Sequence, residues 1–143
     1  MKSINAYLMF NGNCREAFEF YQKCLGGQLR MMKYSDAPDN MCDKLPPGSA
    51  DRIMHVGLLN GGALLMGSDV PAGTPFTAGD NFQIAVACDN SQQVDQFTTA
   101  MSQGGKLTME PQETFWAHRF SMCADKFGND WMFIHEKPMQ GAS

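Results

Sequence analysis

The chain has no apolar run long enough to cross a bilayer and no cluster of basic residues. Its opening stretch, MKSINAYLMF, carries one lysine and a short apolar segment interrupted by Asn5. That is too brief for a signal segment or a membrane span, and no cleavage-site pattern follows. Eleven Lys and Arg against 15 Asp and Glu give a net charge of −4, the wrong sign for a phosphate backbone or an anionic membrane. The expectation is a cytoplasmic protein with no nucleic-acid and no membrane partner. Five cysteines, an odd number with no C-x-x-C pair, exclude a dithiol redox motif and argue against a disulfide framework. Cys14, Cys24, Cys42, Cys88 and Cys123 are read as inert structural thiols. The three histidines show no H-x-x-x-H or H-x-H spacing, and G-x-S-x-G is absent, so no metal or nucleophile motif is legible. The glycine-rich strand-to-helix turn of nucleotide-type sites is missing as well, and no cofactor is expected.

What is present is a globular composition, 43% hydrophobic in 143 residues, enough to bury one core. Residues 1–143 are read as one domain. The chain also repeats itself. Residues 4–10 read as a strand. Asn13 to Glu16 reads as a capping box, and Cys14, Ala17, Phe18, Tyr21, Cys24 and Leu25 mark one helical face. Gly26-Gly27 then stops the helix, and residues 28–34 read as a strand. From residue 82 the order recurs: strand FQIAVAC, a capping box from Asn90 to Gln93, a helical face of Val94, Phe97 and Met101, Gly104-Gly105, and a strand at 106–109. GGQLRM and GGKLTM share four of six residues. Each half adds a hairpin, one turning at Asn60-Gly61-Gly62 and the other at Lys126-Phe127-Gly128. The result is two βαβββ units, about 3–68 and 81–137, joined by a Pro/Gly-rich connector at 69–80. A long loop at 35–50 carries Asp36, Asp39 and Asp43.

Two βαβββ units in tandem resemble the vicinal oxygen chelate, or glyoxalase/bleomycin-resistance/dioxygenase, superfamily. The runs Tyr7-Leu8-Met9-Phe10-Asn11-Gly12-Asn13-Cys14-Arg15-Glu16-Ala17, Gly62–Asp69 and Asp125–Trp131 are similar to its PhnB-like branch, often labelled 3-demethylubiquinone-9 3-methyltransferase. The resemblance implies an α+β fold of curled half-open mixed sheets facing each other around a cavity, and a homodimer. It also implies four metal-ligand positions, on the first and last strand of each unit. Carried onto this chain, these are Ala6, Met66, Gln83 and Met132. Hard or borderline divalent ions need carboxylate or imidazole donors, and only Gln83 could ligate. A one-residue slip gives Asn5 or Tyr7, Leu65 or Gly67, Phe82 or Ile84, and Trp131 or Phe133, none of them His, Asp, Glu or Cys.

No metal is therefore expected, and the leading expectation is a metal-independent small-molecule-binding protein. The alternatives are a superfamily enzyme (lyase, isomerase or dioxygenase) with a displaced metal site, or a methyltransferase as the branch label suggests. Candidate ligand-binding residues are Tyr7, His55, Met66, Gln83, Trp116, Trp131 and Met132, a soft apolar set with few polar groups. His55 is either a cavity group beside Met66 or a packed strand residue. Trp116 and Trp131 either stack on a planar ligand or pack the sheet. His118 carries the same two readings as His55. Arg119 either pairs with an anionic ligand or is solvated, and His135 is read as solvated near the terminus. The acidic loop reads as solvation, with a cationic ligand as the functional alternative.

Overall fold

Residues 1–38 and 41–138 are described by a computed structural model, and they fall into two units, Met1–Thr77 and Ala78–Ser143. The first unit holds β1 (Tyr7–Phe10), α1 (Cys14–Leu25), β2 (Gln28–Lys33), β3 (Ile53–Asn60) and β4 (Ala63–Asp69). The second holds β5 (Ile84–Ala87), α2 (Ser91–Met101), β6 (Lys106–Gln112), β7 (Ala117–Ala124) and β8 (Asp130–Glu136). Each makes a four-stranded sheet, ordered β1-β4-β3-β2 and β5-β8-β7-β6. In both, the first strand runs parallel to the last, and the other pairings are antiparallel. This is βαβββ twice over.

The double glycines do more than stop helices. A Cβ on Gly27 would run into the Leu59 carbonyl oxygen, and one on Gly105 into that of Ala124. The chain leaving each helix thus passes too close to a neighbouring strand for any side chain. The hairpins differ. The first closes over Gly61-Gly62, with Asn60 opposite Ala63. The second needs five residues between Ala124 and Asp130, and Asp125 organises them. Its Oδ1 accepts from the Phe127 and Asn129 amides at 2.8 and 3.0 Å, and its Oδ2 from the Trp131 indole at 2.9 Å.

Two expected details are corrected. The first strand begins at Tyr7, not Ile4: before it the Asn5 amide, rather than a backbone ladder, holds the Leu64 carbonyl at 3.1 Å. Asn13 forms no capping box, because its side chain makes no cap bond. The buried carboxylate of Asp69, arriving from β4, does that work. Its Oδ1 accepts from Gly12 N (2.8 Å) and Cys14 N (3.1 Å), and its Oδ2 from Ile53 N (2.9 Å). At α2 the local signal holds. Asn90 Oδ1 accepts from Gln93 N at 2.8 Å, while Gln93 Oε1 takes the Asp89 amide, one residue before the cap. The long loop is not featureless either: it contains single 3₁₀ turns at Tyr34–Asp36 and Met41–Lys44. Asp36 closes the first by accepting from Lys33 N at 2.8 Å. Asp39 lies outside the described residues.

The core of each unit lies between its helix and one sheet face. In the first, Cys14, Ala17, Phe18 and Tyr21 of α1 pack on Leu8, Phe10 and Val56, all buried. Edge-to-face contacts link Phe18 to Phe10 and to Tyr21. In the second, Val94, Thr98 and Met101 face Phe133, Trp131 and Cys123. The Thr98 hydroxyl donates to the Val94 carbonyl and accepts from the Ser121 hydroxyl at 2.5 Å.

Candidate functional site

Because strand side chains alternate, the residues one position off the core face turn to the opposite, open face of each sheet. In the first unit these are Tyr7 and Met9 on β1, Arg30 and Met32 on β2, His55 and Gly57 on β3, and Met66 and Ser68 on β4. The register aligns one row across all four strands: Arg30 opposite Gly57, Gly57 opposite Met66, Met66 opposite Tyr7. His55 lies opposite Met32, one pleat away from the row. Tyr7, Met9 and Met32 remain 44%, 46% and 46% exposed, unusually open for large apolar groups on a sheet. The polar feature of the face is a side-chain pair: Tyr7 OH lies 3.0 Å from His55 Nδ1, with ring centroids 5.6 Å apart. The Ser68 hydroxyl reaches Met9 Sδ at 3.4 Å. Three of the expected site residues, Tyr7, His55 and Met66, are therefore brought together.

The open face of the second unit is chemically poorer. Its matching row is Met109, Met122, Met132 and Ala85, with Ala87, Ile134 and Phe120 beside it. Trp116 stands at the tip of the β6–β7 hairpin, with its ring 4.7 Å from Phe115 and 5.7 Å from Phe120. Together with His118, Ile134 and Lys137, these two tip aromatics line a cavity of about 780 Å³. Gln83 precedes β5 and is exposed. Trp131 is only 1% exposed and stacks with Phe133 in the core. Its indole N–H is committed to Asp125.

Two readings outside the candidate set are corrected. Arg119 is not a solvated strand arginine: its Nε donates to Asp95 Oδ1 of α2 at 2.7 Å. His135 is not terminal and solvated. It is half-buried, its Nδ1 lies 3.0 Å from the Ser91 hydroxyl at the start of α2, and its ring packs 4.9 Å from that of His118. Nothing in local spacing brings residues 118 and 135 together; only the β7–β8 pairing does.

The thiols of Cys14, Cys88 and Cys123 are buried, and those of Cys24 and Cys42 half-buried. Desolvation, reinforced by the neighbouring Asp69 charge, pushes the Cys14 thiol far up, and burial raises Cys88 to about 11. The exposed Glu113 carboxyl is held below its ordinary range by its hydrogen bond to Lys137.

The family's metal can be tested against these residues. The register sets Tyr7, not Ala6, beside Met66 and Ala85, not Gln83, beside Met132, so the first- and last-strand pair offers a phenol and a thioether in the first unit and a methyl group and a thioether in the second. Thioethers suit soft ions, not the hard or borderline divalent ions that carboxylate and imidazole sets hold. Among the described residues, no group of three or more His, Cys, Asp or Glu is placed to hold a metal ion. The donor set does not fit the metal. Nor is any helix among the described residues long and apolar enough to cross a membrane.

Sequence reading missed Met9, Arg30 and Met32 as members of this face. The available signal was period-two alternation along residues 7–10 and 28–33, but β2 reads as a two-sided apolar-basic strand until His55 fixes its register.

Comparison with known proteins agrees with this architecture. Protein YjdN of Escherichia coli (strain K12) is 31% identical over 147 residues, covering 96% of this chain and 99% of that one. The crystal structure of protein PA1353 from Pseudomonas aeruginosa superposes with a TM-score of 0.82 at 37% identity, covering 94% and 97% of the two chains. A Bacillus cereus structure described as a putative 3-demethylubiquinone-9 3-methyltransferase, PhnB protein, gives a TM-score of 0.70 at 23% identity, covering 93% and 98%. Residues 3–133 match the family described as the Glyoxalase/Bleomycin resistance protein/Dioxygenase superfamily. With the repeated β-α-β-β-β units and the parallel closure of each sheet by its first strand, the chain belongs to that superfamily.

Proposed function

We propose that this protein binds a small organic molecule on the open face of its first sheet, without a metal ion. The observation that carries the reading is the composition of that face. Tyr7 and His55 are hydrogen-bonded at 3.0 Å among exposed methionines, and among the described residues this imidazole belongs to no group of three or more His, Cys, Asp or Glu, where a metal-dependent relative would need several carboxylates or imidazoles together. A fosfomycin resistance protein from Listeria monocytogenes, solved with Mn(II), shares this fold at 13% identity and a TM-score of 0.62; that similarity extends to fold alone. A homodimer in the cytoplasm, with a small-molecule ligand and no nucleic-acid or membrane partner, completes the reading.

Metal analysis of the purified protein, paired with thermal unfolding in Mn²⁺, Ni²⁺, Zn²⁺ and Fe²⁺, tests it. The expected result is no bound metal and an unmoved midpoint. A site of micromolar affinity at a hundredfold excess of ion would instead add about 2.7 kcal/mol, and such a rise would sink the proposal.

The Tyr7–His55 contact favours one second reading, a metal-free enzyme that moves a proton next to a carbonyl, with the pair as acid and base. Dihydroxyacetone in D₂O is a suitable probe. Catalysed deuterium incorporation that disappears in His55→Ala supports the enzyme, and exchange at the uncatalysed rate removes it.

A further inference from the structure

The same face restricts the class of molecule it takes, an inference that rests on the binding reading above. Arg30 stands at the β2 end of the row and Tyr7 at the β1 end, and the Tyr7 hydroxyl reaches back across the sheet to His55 on β3, one pleat from Gly57. Between Arg30 and Tyr7 come Gly57, which has no side chain, and Met66. Strands lie about 4.8 Å apart, so the row spans roughly 14 Å from Arg30 to Tyr7. A Cβ at Gly57 would meet only Leu64 Cδ1, at 3.5 Å, so nothing on β3 separates the guanidinium from Met66. Among the described residues, no hydrogen bond or ion pair engages the Arg30 side chain. In a chain of net charge −4, the open-face positions paired across the four strands, among the described residues, include this arginine and no carboxylate. Asp69, at the end of β4, turns to the helix side and spends both oxygens on backbone amides. The matching row of the second unit, Met109, Met122, Met132 and Ala85, carries no charge at all.

We propose that the ligand is a small planar organic anion. Its carboxylate pairs with the Arg30 guanidinium, which presents a fork of donors matched to two oxygens. Its ring lies over Met66 and Met32, whose sulfurs favour aromatic edges and faces. A hydroxyl or carbonyl on the ring meets the Tyr7–His55 pair. The cationic ligand offered as the alternative reading of the acidic loop is not adopted, since Asp36 of that loop accepts from the Lys33 amide.

Salicylate, its neutral amide salicylamide, and the cation benzylamine are the probes, read on the full chain by NMR of ¹³C-methyl methionine. Salicylate is expected to move the Met32 and Met66 methyl resonances saturably. Salicylamide should bind about fivefold more weakly, the scale of a partly exposed charge pair. Arg30→Met, which keeps the apolar stem on an exposed strand position, should erase that difference and, apart from the one methyl signal it adds, leave the resonances of methionines outside the first sheet unchanged. Equal affinity for acid and amide, a difference that survives Arg30→Met, or tighter binding of benzylamine would overturn the anion inference while leaving the face as the binding site. Methyl resonances unmoved by all three probes would overturn the binding reading and this inference with it.

Discussion

The two halves of this protein keep one topology and solve its local problems with different chemistry. Counting from the matched methionines, Met66 and Met132, the strand position facing the helix is Gly67 in the first unit and Phe133 in the second. In the first, the helix supplies the bulk: a Cβ on Gly67 would come within 2.7 Å of Phe18 Cε2. In the second, the strand supplies it, and Phe133 fills the space against Phe97. Two residues further on, the pair is Asp69 and His135. Both reach the N-terminus of their own helix, one through a buried carboxylate taking three amides, the other through a single contact with the Ser91 hydroxyl. A duplicated fold fixes where groups must meet, while the polar groups that meet there are free to diverge. The open faces show the same drift, polar and charged in the first unit and bare thioether in the second.

Removing the two helix anchors gives the largest expected contrast. Asp69→Ala leaves the Gly12, Cys14 and Ile53 amides facing a cavity in which no water-accessible route replaces a 1% exposed carboxylate. Stranding buried donors costs roughly 1–3 kcal/mol each, so a loss of about 3–5 kcal/mol is expected after relaxation. His135→Ala gives up one half-buried contact and is expected to cost about 1 kcal/mol. Urea unfolding of the two variants measures the contrast. Equal losses would mean that the anchors are equivalent despite their different burial.

A second contrast lies three positions beyond the open-face rows, where Phe10 of β1 corresponds to Cys88, just past β5. Phe10 cannot titrate. Burial raises the Cys88 thiol from 9.0 to about 11, so the folded state holds its proton more tightly than the unfolded chain does. The stabilisation is complete below pH 9 and is lost as pH climbs from 9 to about 11; two pH units amount to roughly 2–3 kcal/mol. Cys14 of the first unit is raised further by burial and by Asp69, and its share continues to fall at higher pH. The measurement is the difference in urea midpoint between the unchanged protein and Cys88→Ala from pH 7 to 11. That difference should narrow with alkali, and a constant gap would show that Cys88 titrates alike in both states.

Much of this fold was legible in the sequence, and the reason is periodicity. The Val94, Phe97 and Met101 face, the Gly26-Gly27 and Gly104-Gly105 stops and the Gly61-Gly62 turn are each dictated by residues within a few positions of one another. What was not legible depended on long-range register. Asp69 lies 55 residues from Cys14, whose amide it accepts from. His118 meets His135 only because a bulge in the β7–β8 ladder sets 118 beside it. The candidate site divides in the same way. Met66 was found because it sits in a recognisable motif, whereas Arg30 joins the face only once Gly57 is known to oppose it.

The smallest expected effect tests that distinction directly. Asn13 and Asn90 read alike in sequence, each followed three residues later by Glu or Gln. In the structure only Asn90 accepts a hydrogen bond from its helix, at 2.8 Å from Gln93 N, while Asn13 adopts φ −110° and ψ 21° with no side-chain cap bond. Replacing a working cap by alanine costs about 1 kcal/mol. Asn90→Ala is therefore expected to lower stability by about that amount, and Asn13→Ala to leave the urea midpoint where it was, because Asp69 already holds the first amides of α1. In Asp69→Ala the relation should change. With the carboxylate gone, Asn13 at the N-cap position carries a side chain able to accept from those amides, so Asn13→Ala in that background should acquire a cost it lacks alone. Additive losses in the double variant would show that Asn13 never competes for those amides, and that its resemblance to Asn90 is a matter of sequence only.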